Sequence, residues 1–253
     1  MSAGHRLYRP GDSLAHRLPA QVKIVAVVAF VVAVVATPFD AYPAFAVHAA
    51  LVVIALAVAG VPGLVAVRHL MIGLPFVAFA VLLPFIAAGP QTDVLGLSLS
   101  VPGLEAAWNL LAKATLGVTS SLVLAATTAP QSLLQGLVRL RVPAPLVSIL
   151  AFMVRYADVV GGEMERMRIA RQSRAFAGRG ARAWPVLARS AGALFIRSYE
   201  RGERVHLAMI SRGYAGRMLI AGDRRTTARD VAVAGALPLL ATVVAVAAGW
   251  VRR

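Results

Sequence analysis

The sequence predicts an all-α integral membrane protein with about five transmembrane helices and, between the fourth and the fifth, a cytoplasmic set of amphipathic helices. Three observations carry this prediction. Apolar residues make up 59% of the 253, with a mean hydropathy of +0.75. Soluble domains use roughly 45–50%, so lipid must solvate part of this surface. The apolar residues are also gathered into five runs, and the basic residues fall between those runs in alternation.

The runs are 22–38, 44–67, 70–88, 104–126 and 231–251. The first has one charge, Lys23, at its start, the fourth has Glu105 near one end and Lys113 inside, and the others have none. Each approaches the ~20 residues a helix needs to cross the hydrocarbon. The first is read as an uncleaved helix rather than a signal peptide, because further spans follow.

Orientation follows from Lys and Arg. Arg6, Arg9, Arg17 and Lys23 precede or open the first run, the connection around Asp40 has no basic residue, Arg68 lies between the second and third, and the 87–103 loop holds Asp93 and nothing basic. Residues 130–230 then hold 18 Arg against 7 acidic residues, a net charge of +11. The expected topology has the N-terminus and this segment in the cytoplasm. The expected organisation is 1–129 for the N-terminal tail and helices one to four, 130–229 for the cytoplasmic helices, and 230–253 for the last transmembrane helix.

Within 130–229 the periodicity predicts three helices. Leu133, Leu134, Leu137, Val138 and Leu140 mark the first, ended by Pro143 and Pro145. Met153, Tyr156, Val160, Met164 and Met167 mark the second, which is expected to stop near Gly178 and Gly180. Trp184-Pro185 reads as a new start. Leu187, Ala191, Leu194, Ser198, Gly202, Val205 and Met209 form the third stripe, capped around Gly213 or Gly216.

The ends of the second and third helices repeat. ERMRIARQSRAFAGR (165–179) and ERVHLAMISRGYAGR (203–217) lie 38 residues apart and agree at eight of fifteen positions. Cationic side chains at helix C-termini are favoured by the macrodipole, which would explain Arg174 and Arg212 as ordinary solvated charges. Capping does not require a matched small residue and ring, however. Two equal knobs imply two equal sockets. Arg171 and Arg179, flanking the first knob, are read as solvated surface charges.

The chain resembles the transmembrane T component of energy-coupling factor (ECF) ABC importers, closest to the cobalt-importer CbiQ family. The matching residues are LPAQVKIVAVVAF, RYADVVGGEMERMRIARQSRAF and above all ARSAGALFIRSYERGERVHLAMISRGY. The resemblance implies cytoplasmic coupling helices whose tips dock into a pair of ABC ATPase subunits, here Ser173, Arg174 and Ala175 on one and Ser211, Arg212 and Gly213 on the other. Ala175 departs from the commoner glycine, which implies unequal engagement of the two sockets. It further implies a substrate-binding S component in the membrane, CbiM-like, with or without a small CbiN-like subunit, and ATP and Mg on the partner ATPases. The chain itself would be non-catalytic, bind no cofactor or metal, and sit in a bacterial or archaeal cell (inner) membrane. Its cargo would be a transition-metal ion, cobalt first and nickel next. A vitamin importer such as one for biotin is the alternative, and a lipid-modifying membrane enzyme is the alternative from another class.

The remaining features exclude more than they assign. A charge of +15 invites a nucleic-acid reading, but concentration of the charge beside a membrane favours anionic lipid and a protein partner instead. Cysteine is absent, so thiol chemistry is excluded. The five histidines show no HExxH spacing, and there is no GxxxxGK[ST] loop. His48 is read as a packed or interfacial residue, and Lys113 is left between a structural polar contact and a transport role.

Overall fold

A computed structural model describes residues 8–94, 97–174, 184–216 and 226–250. Among the described residues the protein is all-α apart from one hairpin, and it divides into two compact units, Leu7–Gly136 with Asp223–Arg253, and Leu137–Gly222.

The first unit opens with a short turn, α1 (Leu14–Arg17), followed by α2 (Ala20–Ala36) and α3 (Tyr42–Val58). The second apolar run does not form one helix over 44–67 as expected. Gly60 takes a φ of +66°, while the Gly60 and Val61 N–H groups bond back to the Ala57 and Leu56 carbonyls. That left-handed cap stops α3, and Pro62 prevents its resumption in line. The chain restarts as α4 (Gly63–Leu70), passes through a 3₁₀ turn at Met71–Gly73, and bends into α5 (Leu74–Ile86). The 87–103 connection, expected to be a loop, contains an antiparallel hairpin of β1 (Gln91–Val94) and β2 (Leu97–Ser100), with Gln91 opposite Ser100.

Helix α6 (Val101–Thr127) starts on a Ser100 N-cap whose hydroxyl accepts from the Gly103 N–H. Gly103 is required there, since a Cβ would stand 2.7 Å from the Leu83 carbonyl oxygen and the Pro84 Cα. The last helix of the unit is α10 (Ala228–Trp250). By length and composition α6 and α10 can cross a membrane, and the bent α4–α5 pair passes the same test when taken together, as a broken span or a re-entrant loop; α2 and α3 are apolar helices of 17 residues.

The core of this unit lies around α2, where Phe30, Ala33 and Val34 pack with Phe45, Leu51 and Val52 of α3, Leu116 of α6 and Ala241 of α10. Val25, Val28, Val32 and Val35 of α2 face outward, as expected where the surroundings are acyl chains. Two lysines close helix ends in this apolar setting. Lys23 Nζ donates to the carbonyl of Thr127, the last residue of α6, at 2.9 Å, and Lys113 Nζ donates to Val35 in the last turn of α2, at 2.8 Å. Terminal carbonyls have no intrahelical donor, and hydrocarbon offers no water to replace it. Antiparallel α2 and α6 thus exchange one lysine cap each. For Lys113 the geometry is the structural contact of the two readings. His48 is fully buried, stands edge-on to Phe30 at 5.9 Å, and reaches the Ala241 carbonyl through Nε2 at 3.3 Å.

Helix α7 (Pro130–Arg139) carries the expected amphipathic pattern but ends before the prolines. Arg141 takes φ +60°, and the Arg141 and Val142 N–H groups bond to the Val138 and Leu137 carbonyls, a left-handed cap built without glycine. The second unit consists mainly of α8 (Ala144–Ser173) and α9 (Trp184–Ile210). Helix α9 is described from Trp184 onward, and the second helix is longer than its periodicity marked, beginning at Ala144. The first half of α8 is apolar enough that the helix also meets the length and composition of a membrane span. Gly178 and Gly180 lie outside the described residues.

Candidate functional site

Helices α8 and α9 run antiparallel: Arg171 meets Ser190, while Glu163 meets Arg197 and Arg201. The stripe α9 turns inward is not quite the one its apolar periodicity marks. Leu187, Ala191 and Gly202 are exposed, whereas Val186, Ser190, Leu194, Ser198, Arg201, Val205 and Met209 face inward or are half-buried. Electrostatics moves the stripe. Glu163 is buried in the facing surface of α8, and a buried carboxylate must be paired, so the arginines rotate toward it. Arg171, expected to be a solvated charge, instead donates through Nη1 to Ser190 Oγ at 2.8 Å. Arg179 lies outside the described residues.

The two repeated tips share a local structure. Arg174 is the C-cap of α8, with φ −88° and ψ 22°. The Ser173 hydroxyl donates to the Ala170 carbonyl at 3.1 Å, and the Ser211 hydroxyl donates to the Ala208 carbonyl at 3.0 Å. Past α9 the chain closes as a Schellman motif: the Tyr214 N–H bonds to Met209 O at 3.0 Å and the Gly213 N–H to Ile210 O at 2.9 Å. This makes Gly213 the left-handed residue, φ +83°, and Arg212 the C-cap. Each arginine therefore occupies the cap position, exposed, beside the negative end of its helix. Among the described residues neither guanidinium has a side-chain partner. Ala175 lies outside the described residues, so the second half of the first tip has no counterpart to set beside Gly213.

The structure does not bring the two tips together. Antiparallel packing sends them to opposite ends of the pair, roughly 30 Å apart at 1.5 Å per residue. Between the α8 start and the α9 end lies an apolar cleft of about 660 Å³, lined by residues including Ile149, Phe152, Met153, Tyr156, Val205 and Met209. Met153 and Met164 are exposed rather than packed in the stripe expected of them. The Glu163 cluster was missed from the sequence because a carboxylate among apolar positions reads as an interruption of the pattern. Its spacing in line with Tyr156, Val160 and Met167 was the available signal.

An apolar helical bundle with lysine-capped ends, joined in one chain to a basic helix pair, defines a multi-pass membrane protein. The chain belongs to the CbiQ family, described as cobalt transport protein, whose model matches residues 11–221. It is also similar to two uncharacterized proteins of Methanocaldococcus jannaschii. One is 32% identical over 130 residues, 51% of this chain and 48% of the relative. The other is 27% identical over 145 residues, 55% of this chain and 50% of the relative. The matched stretches thus span about half the length of these curated relatives.

Proposed function

We propose that the protein is the T component of an ECF-type ABC importer, coupling ATP hydrolysis by a pair of partner ATPases to uptake of a transition-metal ion by a membrane S component. One observation supports this most: two arginine caps with the same serine back-bond stand at opposite ends of an antiparallel helix pair. Such a pair has an approximate two-fold axis across it. A partner with two equivalent grooves related by its own two-fold, as in an ATPase dimer, presents matching sockets to both ends. Arginine suits the docking role because its planar fork makes several directed bonds and is enriched at interface hot spots.

Cobalt is the first cargo, in keeping with the family description, and nickel the second. The ion is substrate of the complex and would be bound by the S component. ATP and Mg would be held by the ATPases, and anionic lipid would meet the basic surface on the cytoplasmic side. The test is to co-express the chain with its ATPase and S-component partners and assay the purified assembly. The reading expects copurification, ATP turnover only in the assembly, and uptake of labelled cobalt or nickel over biotin. Turnover of ATP by the isolated chain, or failure to retain an ATPase pair, overturns it.

A further inference from the structure

The repeat locates the two-fold axis of the α8–α9 pair. Its copies lie 38 residues apart, so Glu163 corresponds to Arg201. In an antiparallel pair, corresponding residues meet only where the axis passes. Glu163 and Arg201 do meet, Arg201 Nη2 donating to Glu163 Oε2 at 3.1 Å. From this point the arginine caps are equidistant: eleven residues separate Glu163 from Arg174, and eleven separate Arg201 from Arg212, about 16 Å of helix each.

A faithful repeat would set like against like at the axis. The chain breaks its symmetry there, with a carboxylate on one helix and a guanidinium on the other. Arg197, one turn from Arg201 on the same face of α9, takes the remaining oxygen, Nη1 donating to Oε1 at 3.2 Å. Glu163 is only 9% exposed, and among the described residues it is the one buried carboxylate of this unit. Two guanidinium groups a turn apart repel, and the shared carboxylate offsets that repulsion across the helix boundary.

The surroundings differ on the two sides of the axis. Toward the α8 tip, Arg171 latches onto Ser190. The positions corresponding to these under the repeat are Met209 and Phe152, and both line the open cleft. One side is thus tied by a polar bond, and the other is open and apolar. An open apolar contact is non-directional and does not define an angle, so the directed bonds do: the single Arg171–Ser190 bond toward the α8 tip and the two charge-assisted bonds at Glu163, on the axis itself.

We propose that Glu163, through Arg201 and Arg197, is the fulcrum of the helix pair: its carboxylate holds the angle between α8 and α9 and thereby sets the separation of the two arginine caps. It is a positioning residue that acts through Arg174 and Arg212. The significance of that separation rests on the coupling function proposed above, but the angle does not.

The chain has no cysteine, so spin labels can be placed directly at Ala170→Cys and Ala208→Cys, exposed and equivalent under the repeat. Pulsed electron resonance on the full chain in lipid nanodiscs then reads the distance between the tips. The parent should give one narrow distribution. Glu163→Gln should broaden and displace it with helix content unchanged, Glu163→Arg should do so further, and Glu163→Arg with Arg201→Glu should restore it. In the assembled importer, Glu163→Gln should keep its ATPases yet lose uptake per ATP hydrolysed. A parent-like distribution in Glu163→Gln, or no restoration by the charge exchange, overturns the fulcrum and leaves the coupling function standing. Should Glu163→Arg fail to insert, Glu163→Gln alone decides. A parent chain that retains no ATPase overturns the coupling function, while the distances still decide the fulcrum.

Discussion

Removing both arginine caps isolates docking from folding. Arg174 and Arg212 are exposed at their helix ends, and among the described residues their side chains bond to nothing within the protein. Their replacement by alanine forfeits only the interaction with each helix dipole, about 0.3–1 kcal/mol apiece. The stripe that packs α9 on α8 and the Glu163 cluster are untouched. The bundle around α2 shares no residue with either tip, so insertion should be unaffected. Docked in a partly desolvated groove, each guanidinium would leave a partner charge unpaired on truncation, typically a loss of about 2–5 kcal/mol. At about 1.4 kcal/mol per decade, each single variant should weaken ATPase binding by more than tenfold, and Arg174→Ala with Arg212→Ala should abolish uptake. Binding of the ATPase pair to nanodisc-embedded chain, by interferometry across a concentration series, reads the first quantity, and labelled-metal uptake reads the second. Arg→Lys should rescue only in part, since an ammonium lacks the fork. Arg189→Ala, an exposed position elsewhere on α9, serves as the control and should bind as the parent does. Arg171 is unsuitable for that purpose because it ties α8 to Ser190. Normal assembly and uptake by the double alanine variant would show that the arginines are helix-end charges only.

Three further outcomes follow from the same structure. Gly213→Ala puts a Cβ on a left-handed residue with nothing within 4 Å, so the cost is conformational, about 1–2 kcal/mol; hydrogen exchange should show the last turn of α9 frayed, while Gly213→Asn should restore most of its protection. Lys113→Met leaves the Val35 carbonyl without its donor, which should cost about 1–3 kcal/mol of stability, seen as a lower melting temperature in detergent with uptake per folded molecule preserved; lost uptake at unchanged stability would assign Lys113 a transport role instead. A reporter fused after residue 173 should read cytoplasmic and one inserted at Asp93 external, and reversed signals at both positions would contradict the expected orientation.

The class of the protein was legible in composition because transfer of apolar surface to lipid depends on amount and run length, not on three-dimensional detail. The cap at Gly213 was legible for a related reason: capping is local, and a glycine followed within a few residues by a change of pattern carries its own geometry. The repeat of the two tips was visible as well, since the shared Ala-x-x-Ser-Arg pattern folds to the same serine back-bond at Ala170 and Ala208. Other features depended on partners distant in sequence. Hydropathy alone ran residues 44–67 together, because a left-handed glycine cap at Gly60 is brief and leaves the apolar count intact. The cap at Arg141 carried no glycine to announce it. Lys113 could be assigned only once Val35, 78 residues away, was seen to need a donor. Glu163 looked like a break in an apolar stripe until Arg197 and Arg201 arrived from α9. Local propensity and solvent preference act within a few residues of chain, so the sequence by itself determined the class, several of the helix ends and the pair of arginine caps. Satisfaction of buried charge and of terminal carbonyls is a condition on the assembled fold. Only the tertiary structure could decide which helices exchange lysine caps, which face α9 turns inward, and that the two tips point to opposite ends of one antiparallel pair.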